Sequence, residues 1–238
     1  MKMCALYFLP LLFIAAQAWA GAPNNPGTIE ISVTPYYEST GPVVKAGEYG
    51  EGLSSKDEKV VVTTIRKMKK EWKKLNFPQM YVAAIRLYDL GYRKESVYWF
   101  YSAQYRARLF CMLEEPQKVG GMGDAGFELA QAAASFAQLS GPYFNGYAFG
   151  DPEWLAGVIT QVKTEGQVLP DAKDLKAAYP GVVFQDQAKW DGINKALNAG
   201  LDGLLKALEN KDEIKQQRKQ QGVDTAFSKL TSKDFTQE

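Results

Sequence analysis

Residues 79–113 constrain the fold more than any other stretch, because they hold the densest aromatic cluster in the sequence. In the first part of this segment, apolar residues recur at helical spacing as far as Leu90. Residues 89–91 then place a polar residue and a glycine where a helix can end. Over residues 97–110, apolar and aromatic residues fall on nearly every side of a helix, which indicates burial on most faces. The segment therefore predicts two helices joined at Gly91, with the second helix in the core.

The other patterned segments also favour helices over strands. Apolar spacing, helix caps and helix-ending glycines predict helices from residue 54 or 55 to 76, over 124–139, 151–166 and 171–178, and from residue 186 onward. Only residues 28–34 alternate like a strand, and residues 182–184 form a brief strand-like run. We therefore predict an all-α fold, a compact helical domain built round the central aromatic hairpin.

The composition divides the chain into a leader, an arm, a domain and a tail. Residues 57–221 carry the helical patterns and form the predicted helical domain. Residues 21–56 contain four prolines with many Gly and Ser residues, which predicts an extended Pro/Gly-rich N-terminal arm that either wraps the helices or is disordered. Residues 222–238 continue no helical pattern and are predicted to form a flexible C-terminal tail.

Residues 1–20 match a cleavable signal peptide. They combine Lys2, an apolar run over residues 5–16 and the small-residue site Ala18-Trp19-Ala20. The apolar run is shorter than a typical membrane span, so we expect cleavage after Ala20 and no stable membrane insertion. The sequence therefore predicts a periplasmic protein that is exported through this segment.

Charge and cysteine content exclude several classes of partner. The chain carries 28 basic and 27 acidic residues, a balance that gives no net attraction to nucleic acid or to an anionic membrane. Removal of the signal peptide would take Cys4 with it and leave only Cys111, so no intramolecular disulfide can form. We therefore expect no nucleic-acid partner, and we expect stability to come from the core.

The sequence contains no histidine, which limits the chemistry available to it. Ser-His and Cys-His nucleophile pairs, imidazole metal sites and the commonest general base are all excluded. Catalysis by a pair of carboxylates stays open because acids are plentiful, but none stands out from helix caps and surface positions. We therefore predict a non-enzymatic protein with no catalytic residues, no metal site and no cofactor.

Two features are candidates for binding a protein partner. Arg106 and Arg108 lie within the aromatic helix, and a forked guanidinium group suits an interface. The structural alternative is an arginine that stacks on a tyrosine or pairs with an internal acid such as Asp89. The second feature is the segment 140–150, where glycines, a proline and an asparagine predict a loop that carries Tyr143, Phe144, Tyr147 and Phe149. This loop either presents rigid anchors to a partner or covers the core.

The hairpin resembles a Sel1-like or tetratricopeptide-type unit. The residues that carry the resemblance occupy positions where such repeats place small and aromatic side chains at the helix contact: Ala84, Leu87, Gly91, Lys94, Ser96, Trp99, Tyr101 and Ala103. It covers about one-eighth of the chain, and no second copy follows at a period of 34 to 40 residues. The resemblance implies a single helical hairpin of this type.

In general character the chain resembles the periplasmic immunity proteins that neutralise secreted antibacterial effectors, such as those of type VI secretion. The shared features are export, neutral charge, helical structure and the absence of histidine. The resemblance implies that the protein binds a cognate toxin stoichiometrically and blocks its active site or its activation. The alternatives are a periplasmic scaffold or chaperone of an envelope or secretion assembly and, from another class, a carboxylate-dependent enzyme or a lipid-binding protein.

Overall fold

The computed structural model describes residues 22–29 and 46–236. The predicted signal peptide and most of the predicted N-terminal arm lie outside these ranges. The arm prediction is wrong for residues 46–56, which form a short 3-10 turn, Gly47–Tyr49, and an α-helix, Gly50–Ser54. Residues 22–29 have no regular structure, and Ile29 is buried with its amide donating to Asp89 Oδ1 at 2.9 Å.

The prediction of an all-α fold is confirmed. The described residues form ten α-helices: α1 (Gly50–Ser54), α2 (Glu58–Lys70), α3 (Phe77–Asp89), α4 (Arg93–Leu113), α5 (Ala125–Ala148), α6 (Pro152–Gly166), α7 (Ala172–Ala178), α8 (Trp190–Leu208), α9 (Lys211–Gln220) and α10 (Val223–Phe227). Within the same ranges the only β-type pairing is an isolated antiparallel bridge between Glu114 and Phe184. No helix of the described chain has the length and apolar character that crossing a membrane requires.

Helices α3 and α4 form the predicted hairpin. Helix α3 begins with a capping box, in which the side chains of Asn76 and Gln79 each accept a hydrogen bond from the other residue's amide. The turn between the helices places Gly91 at φ +90°, a conformation that glycine adopts without steric cost. Helix α4 packs against α3, α5, α6 and α8, and Trp99 and Phe100 on it are fully buried. It is therefore the central helix of the core.

Helix α5 is longer than its sequence pattern predicts, because it continues through Ala148. The predicted loop at residues 140–150 is therefore wrong. Pro142 has no N–H to donate to the carbonyl of Gln138, four residues before it, but the helix continues past this single missing hydrogen bond. Gly146 is a packing position, because a Cβ atom there would lie 2.4 Å from the Phe227 ring. The glycines allow close contact and do not end the helix.

The prediction of a flexible tail after residue 221 is also wrong for the residues that the structure describes. Phe227 on α10 and Phe235 are both buried, and each fills a gap between helices. The Lys233 amide donates to the Gly91 carbonyl at 2.8 Å. One guanidinium, that of Arg93, donates to the carbonyl oxygens of both Thr231 and Gly27. Aromatic burial and these backbone hydrogen bonds hold the segment on the α3–α4 turn.

Candidate protein-binding surface

Three of the four predicted aromatic anchors lie in the core. Phe144 is fully buried, and its ring stacks on Phe100 with a centroid distance of 4.3 Å. Tyr143 packs edge-on against Tyr88 at 6.3 Å, and Phe149 is also buried. The predicted loop is wrong for these three rings, and of the two alternatives for the segment their burial fits the one in which the aromatic residues cover the core. Because they lie inside the fold, they have a packing role and do not form a surface.

Tyr147, the fourth aromatic residue, lies at a surface cleft. The cleft has a volume of about 470 Å³ and runs between the first turn of α4 and the C-terminal segment. Its lining comprises Lys94, Glu95, Tyr147 and residues 232–236. Burial raises the pKa of Tyr147, opposed by its hydrogen bond to Ser232 and by the Arg93 charge, so the phenol stays neutral at physiological pH. Tyr147 can therefore offer a hydroxyl and a ring edge to a bound group.

Arg106 has a structural role. Its Nη1 donates to the carbonyl oxygen of Leu75 at 2.5 Å, and its guanidinium lies 5.4 Å from the centre of the Trp72 ring. The hydrogen bond joins α4 to the chain just before α3, and the contact with Trp72 is a cation–π interaction. The alternative of an arginine stacked on an internal aromatic ring therefore describes Arg106, with tryptophan in place of tyrosine.

Arg108 has no such partners. Its side chain is only partly exposed, yet it donates no hydrogen bond and forms no ion pair within residues 22–29 and 46–236. Burial lowers the pKa of Arg108, partly opposed by the nearby phenols of Tyr81 and Tyr101. An arginine holds its proton at any physiological pH, so the group is a partly desolvated cation that meets no counter-charge in the described part of the chain.

Gln104, which the sequence did not mark as a site, lies one helical turn before Arg108. Residues four apart share one face of a helix, so the two polar side chains project from α4 on the same side. Gln104 is buried, and its Oε1 accepts no hydrogen bond from the described chain. The i, i+4 spacing of Gln104 and Arg108 could have shown that they share a side of the helix. The burial of Gln104 could not be predicted, because it depends on the helices that pack against α4.

One buried ring and two apolar side chains that contact water extend this face. The Tyr81 ring, whose phenol interacts with Arg108, stacks on Phe136 of α5 with a centroid distance of 4.7 Å. Phe136 is partly exposed, and Leu139, one turn further along α5, is 44% exposed. We call these five residues the Arg108 face: Tyr81, Gln104, Arg108, Phe136 and Leu139. Tyr81 and Gln104 lie buried beneath it, while Arg108, which finds no acceptor in the described residues, and the apolar Phe136 and Leu139 contact water.

The described chain offers no grouping of His, Cys, Asp and Glu side chains that could hold a metal ion. The chain has no match among protein-family models, curated proteins or solved structures.

Proposed function

We propose that this protein is a non-enzymatic binding factor that acts as an immunity protein. In this role it binds a toxin stoichiometrically and either occludes the active site of the toxin or prevents its activation. The observation that carries the proposal is the guanidinium of Arg108, which has no hydrogen-bond or ion-pair partner among the residues that the structure describes. A carboxylate on the partner would give that guanidinium the bidentate acceptor that residues 22–29 and 46–236 do not supply.

The energetics of Arg108 favour a binding role over a folding role. A desolvated ion without a partner destabilises the free protein, so folding alone gives no reason to keep it there. At an interface the same group can gain a fully desolvated pair, and arginine is among the residues most often found at the energetic centre of interfaces. Phe136 and Leu139 supply apolar area beside it that a partner would cover.

Two properties of the sequence agree with this role. The lack of histidine removes the usual catalytic bases, and the predicted signal peptide would deliver the chain to the compartment that periplasm-targeting toxins enter. The hypothesis of a scaffold or chaperone differs in the identity of the partner, so one experiment separates the two.

The test begins with affinity purification of the tagged chain from its native host and mass-spectrometric identification of the bound protein. That protein is then expressed in the periplasm of a sensitive bacterium, with and without the chain. We expect it to stop growth and the wild-type chain to restore growth. Arg108→Met should weaken binding about 30-fold, which corresponds to the roughly 2 kcal/mol typical of an interface hot spot.

The matched control is Lys195→Met, which removes one exposed positive charge from α8 without touching the Arg108 face. This variant should bind and protect like the wild-type chain. A partner that is harmless when expressed alone, such as an envelope component, would replace the immunity role with the scaffold role. Unchanged affinity of a folded Arg108→Met protein would show that the Arg108 face is not the interface.

A further inference from the structure

We propose that the C-terminal end of α2 docks the protein on the surface of an anionic phospholipid bilayer. Six of the nine residues over 66–74 are basic, and Glu71 is the one acidic residue among them. We call these six residues the α2 basic end: Arg66, Lys67, Lys69, Lys70, Lys73 and Lys74. The proposal goes beyond the immunity role and does not depend on it.

Three lysines of the α2 basic end have no carboxylate in contact. Lys70, Lys73 and Lys74 are exposed, and none of them forms an ion pair within residues 22–29 and 46–236. Lys70 is the last residue of α2, and the 3-10 turn Trp72–Lys74 follows it closely. The negative end of the helix dipole stabilises cations within the last turn only, so it does not account for Lys73 and Lys74.

The carboxylates near the α2 basic end offset only part of its charge. They are Glu48, Glu71, Glu95 and Asp234. Glu48 and Glu95 pair with Lys67 and Lys69 at 3.1 and 2.7 Å. Glu71 belongs to the segment itself, and Asp234 precedes Phe235, whose ring Arg66 contacts. Four acids set against six basic residues leave an excess of two positive charges.

The charge balance of the whole chain does not cancel this local excess. The 28 basic and 27 acidic residues give the chain as a whole no net attraction to an anionic membrane. At about 0.1 M ionic strength, however, exposed charges more than about 10 Å apart are largely screened from one another. A bilayer therefore responds to the side chains nearest its surface, and about four to eight basic residues on an amphipathic helix are typical of anionic lipid recognition.

The composition of the α2 basic end favours a lipid surface over an acidic protein. Five of its six residues are lysines, which are depleted at protein interfaces, where arginine and exposed aromatic anchors dominate. The one aromatic residue over 66–74 is Trp72, whose ring stacks on Tyr98 at 5.3 Å and meets Trp99 edge-on at 4.7 Å. Because Trp72 packs inside the fold, the set offers only point charges on flexible stems, which suit a fluid and uniformly negative surface.

The contact with lipid should be purely electrostatic. Val61, Ile65 and Met68 on the apolar face of α2 are fully buried in the protein, so the helix cannot place that face among acyl chains. We therefore expect binding at about 0.1 M salt and its loss at about 1 M salt, where the screening length falls to about 3 Å.

The test is cosedimentation of the chain with phospholipid vesicles. The chain is isolated from its native host, so that any leader is processed as it is in the cell. We expect binding to vesicles of equal parts phosphatidylcholine and phosphatidylglycerol, and none to vesicles of phosphatidylcholine alone. The triple variant Lys70→Gln, Lys73→Gln and Lys74→Gln should lower the partition coefficient about 100-fold, because each lysine near an anionic surface contributes about a factor of five.

The matched control is a second triple variant: Lys195→Gln, Lys206→Gln and Lys215→Gln. It removes the same charge from exposed positions on α8 and α9, so it should bind the mixed vesicles like the wild-type chain. An equal loss in the two variants would mean that only net charge matters and would overturn the proposal. Circular dichroism spectra that match the wild type verify that both variants are folded.

Three other results would also overturn it. Binding to phosphatidylcholine alone would remove the role of lipid charge. Binding that persists at about 1 M salt would indicate apolar insertion in place of surface docking. Tighter binding to poly-glutamate than to the mixed vesicles, lost in the first triple variant, would assign the α2 basic end to an acidic protein.

Discussion

Arg106 and Arg108 provide a direct test of the difference between a structural and a functional arginine. The two side chains lie two positions apart on the same helix, so they share its backbone structure and differ in the groups that they meet. Replacing each by methionine keeps an unbranched side chain with high helix propensity and removes only the guanidinium. We expect the two substitutions to change the free energy of unfolding in opposite directions.

The expected gain at Arg108 comes from removing a desolvated charge that has no acceptor. Replacing a buried ion pair by apolar residues of similar volume is often neutral or stabilising, by up to about 4 kcal/mol, and a lone desolvated charge lacks the Coulomb attraction that offsets the cost in a pair. Arg108 is partly exposed, so solvent recovers part of the cost and the lower end of that range applies. We expect Arg108→Met to raise the free energy of unfolding by about 1 kcal/mol.

The expected loss at Arg106 comes from the two contacts that its guanidinium makes. A hydrogen bond from a charged donor contributes about 1.5 to 3 kcal/mol, and the cation–π contact with Trp72 adds about 0.5 to 1 kcal/mol. The substitution also leaves the Leu75 carbonyl without this donor, while it removes the desolvation of the charge. We expect Arg106→Met to lower the free energy of unfolding by about 2 kcal/mol.

The assay is urea unfolding at pH 7, followed by circular dichroism, with melting temperatures as a second measure. For a domain of this size, each 1 kcal/mol corresponds to about 2 to 4 °C. The two variants should therefore differ by about 3 kcal/mol at a constant slope in urea. If Arg108→Met destabilises the protein as much as Arg106→Met does, then Arg108 has a structural role and the argument for a binding arginine fails.

Two further predictions concern packing and acid dependence. Gly146→Ala should lower the free energy of unfolding by about 1 to 3 kcal/mol, because the added Cβ would overlap the Phe227 ring. Its control, Gly203→Ala, lies on an exposed helix surface where the Cβ meets no atom, so the higher helix propensity of alanine should raise the free energy of unfolding by up to about 1 kcal/mol. Equal effects in urea unfolding would contradict this account. Burial raises the pKa of Asp89 above its ordinary value of 3.8, so the free energy of unfolding should fall as pH rises through that raised pKa. Asp89→Asn can still accept a hydrogen bond from the Ile29 amide but cannot ionise. In urea unfolding measured at several pH values, this variant should therefore show a flatter dependence of stability on pH above pH 4.

Local signals in the sequence were sufficient to predict the hairpin. Gly91, the apolar spacing of α3 and the all-round aromatic pattern of α4 are properties of neighbouring residues, and each acts within a few positions of where it lies. The same holds for the cap at Asp151, which bonds to the Trp154 amide as its position before Pro152 predicts. Elements that depend on short-range rules were therefore predictable.

The segment 140–150 was not predictable by such rules, because its structure depends on distant residues. Gly146 indicates a loop when only its neighbours are considered, but in the fold it lies against Phe227, 81 positions later in the chain. The prediction of a flexible C-terminal tail was wrong for the same reason, because Phe235 packs on the distant Tyr92 with a centroid distance of 5.5 Å. Isolated aromatic residues in a polar stretch reveal their partners only when the tertiary structure is known.

The site was predictable only as a short set of candidates. Spacing alone indicated that Arg106 and Arg108 point to different sides of α4, and it could not indicate which side would meet an acceptor. That outcome depends on the Leu75 carbonyl, which the turn between α2 and α3 brings to Arg106. A backbone group leaves no signature in side-chain patterns, so the two roles could not be assigned from sequence.

The two hydrogen bonds that Arg93 donates determine how a mechanical force would be transmitted through the molecule. Its guanidinium donates hydrogen bonds to the carbonyl oxygens of Gly27 and Thr231. These two residues are 204 positions apart in the sequence, but in the fold only this guanidinium group separates their carbonyl oxygens. Because Arg93 begins α4, a force that pulls these segments apart acts on the start of the α3–α4 hairpin through the two hydrogen bonds. The first turn of α4 is therefore the point where tension applied to either segment enters the hairpin, and the rest of α4 bears that tension only through this turn.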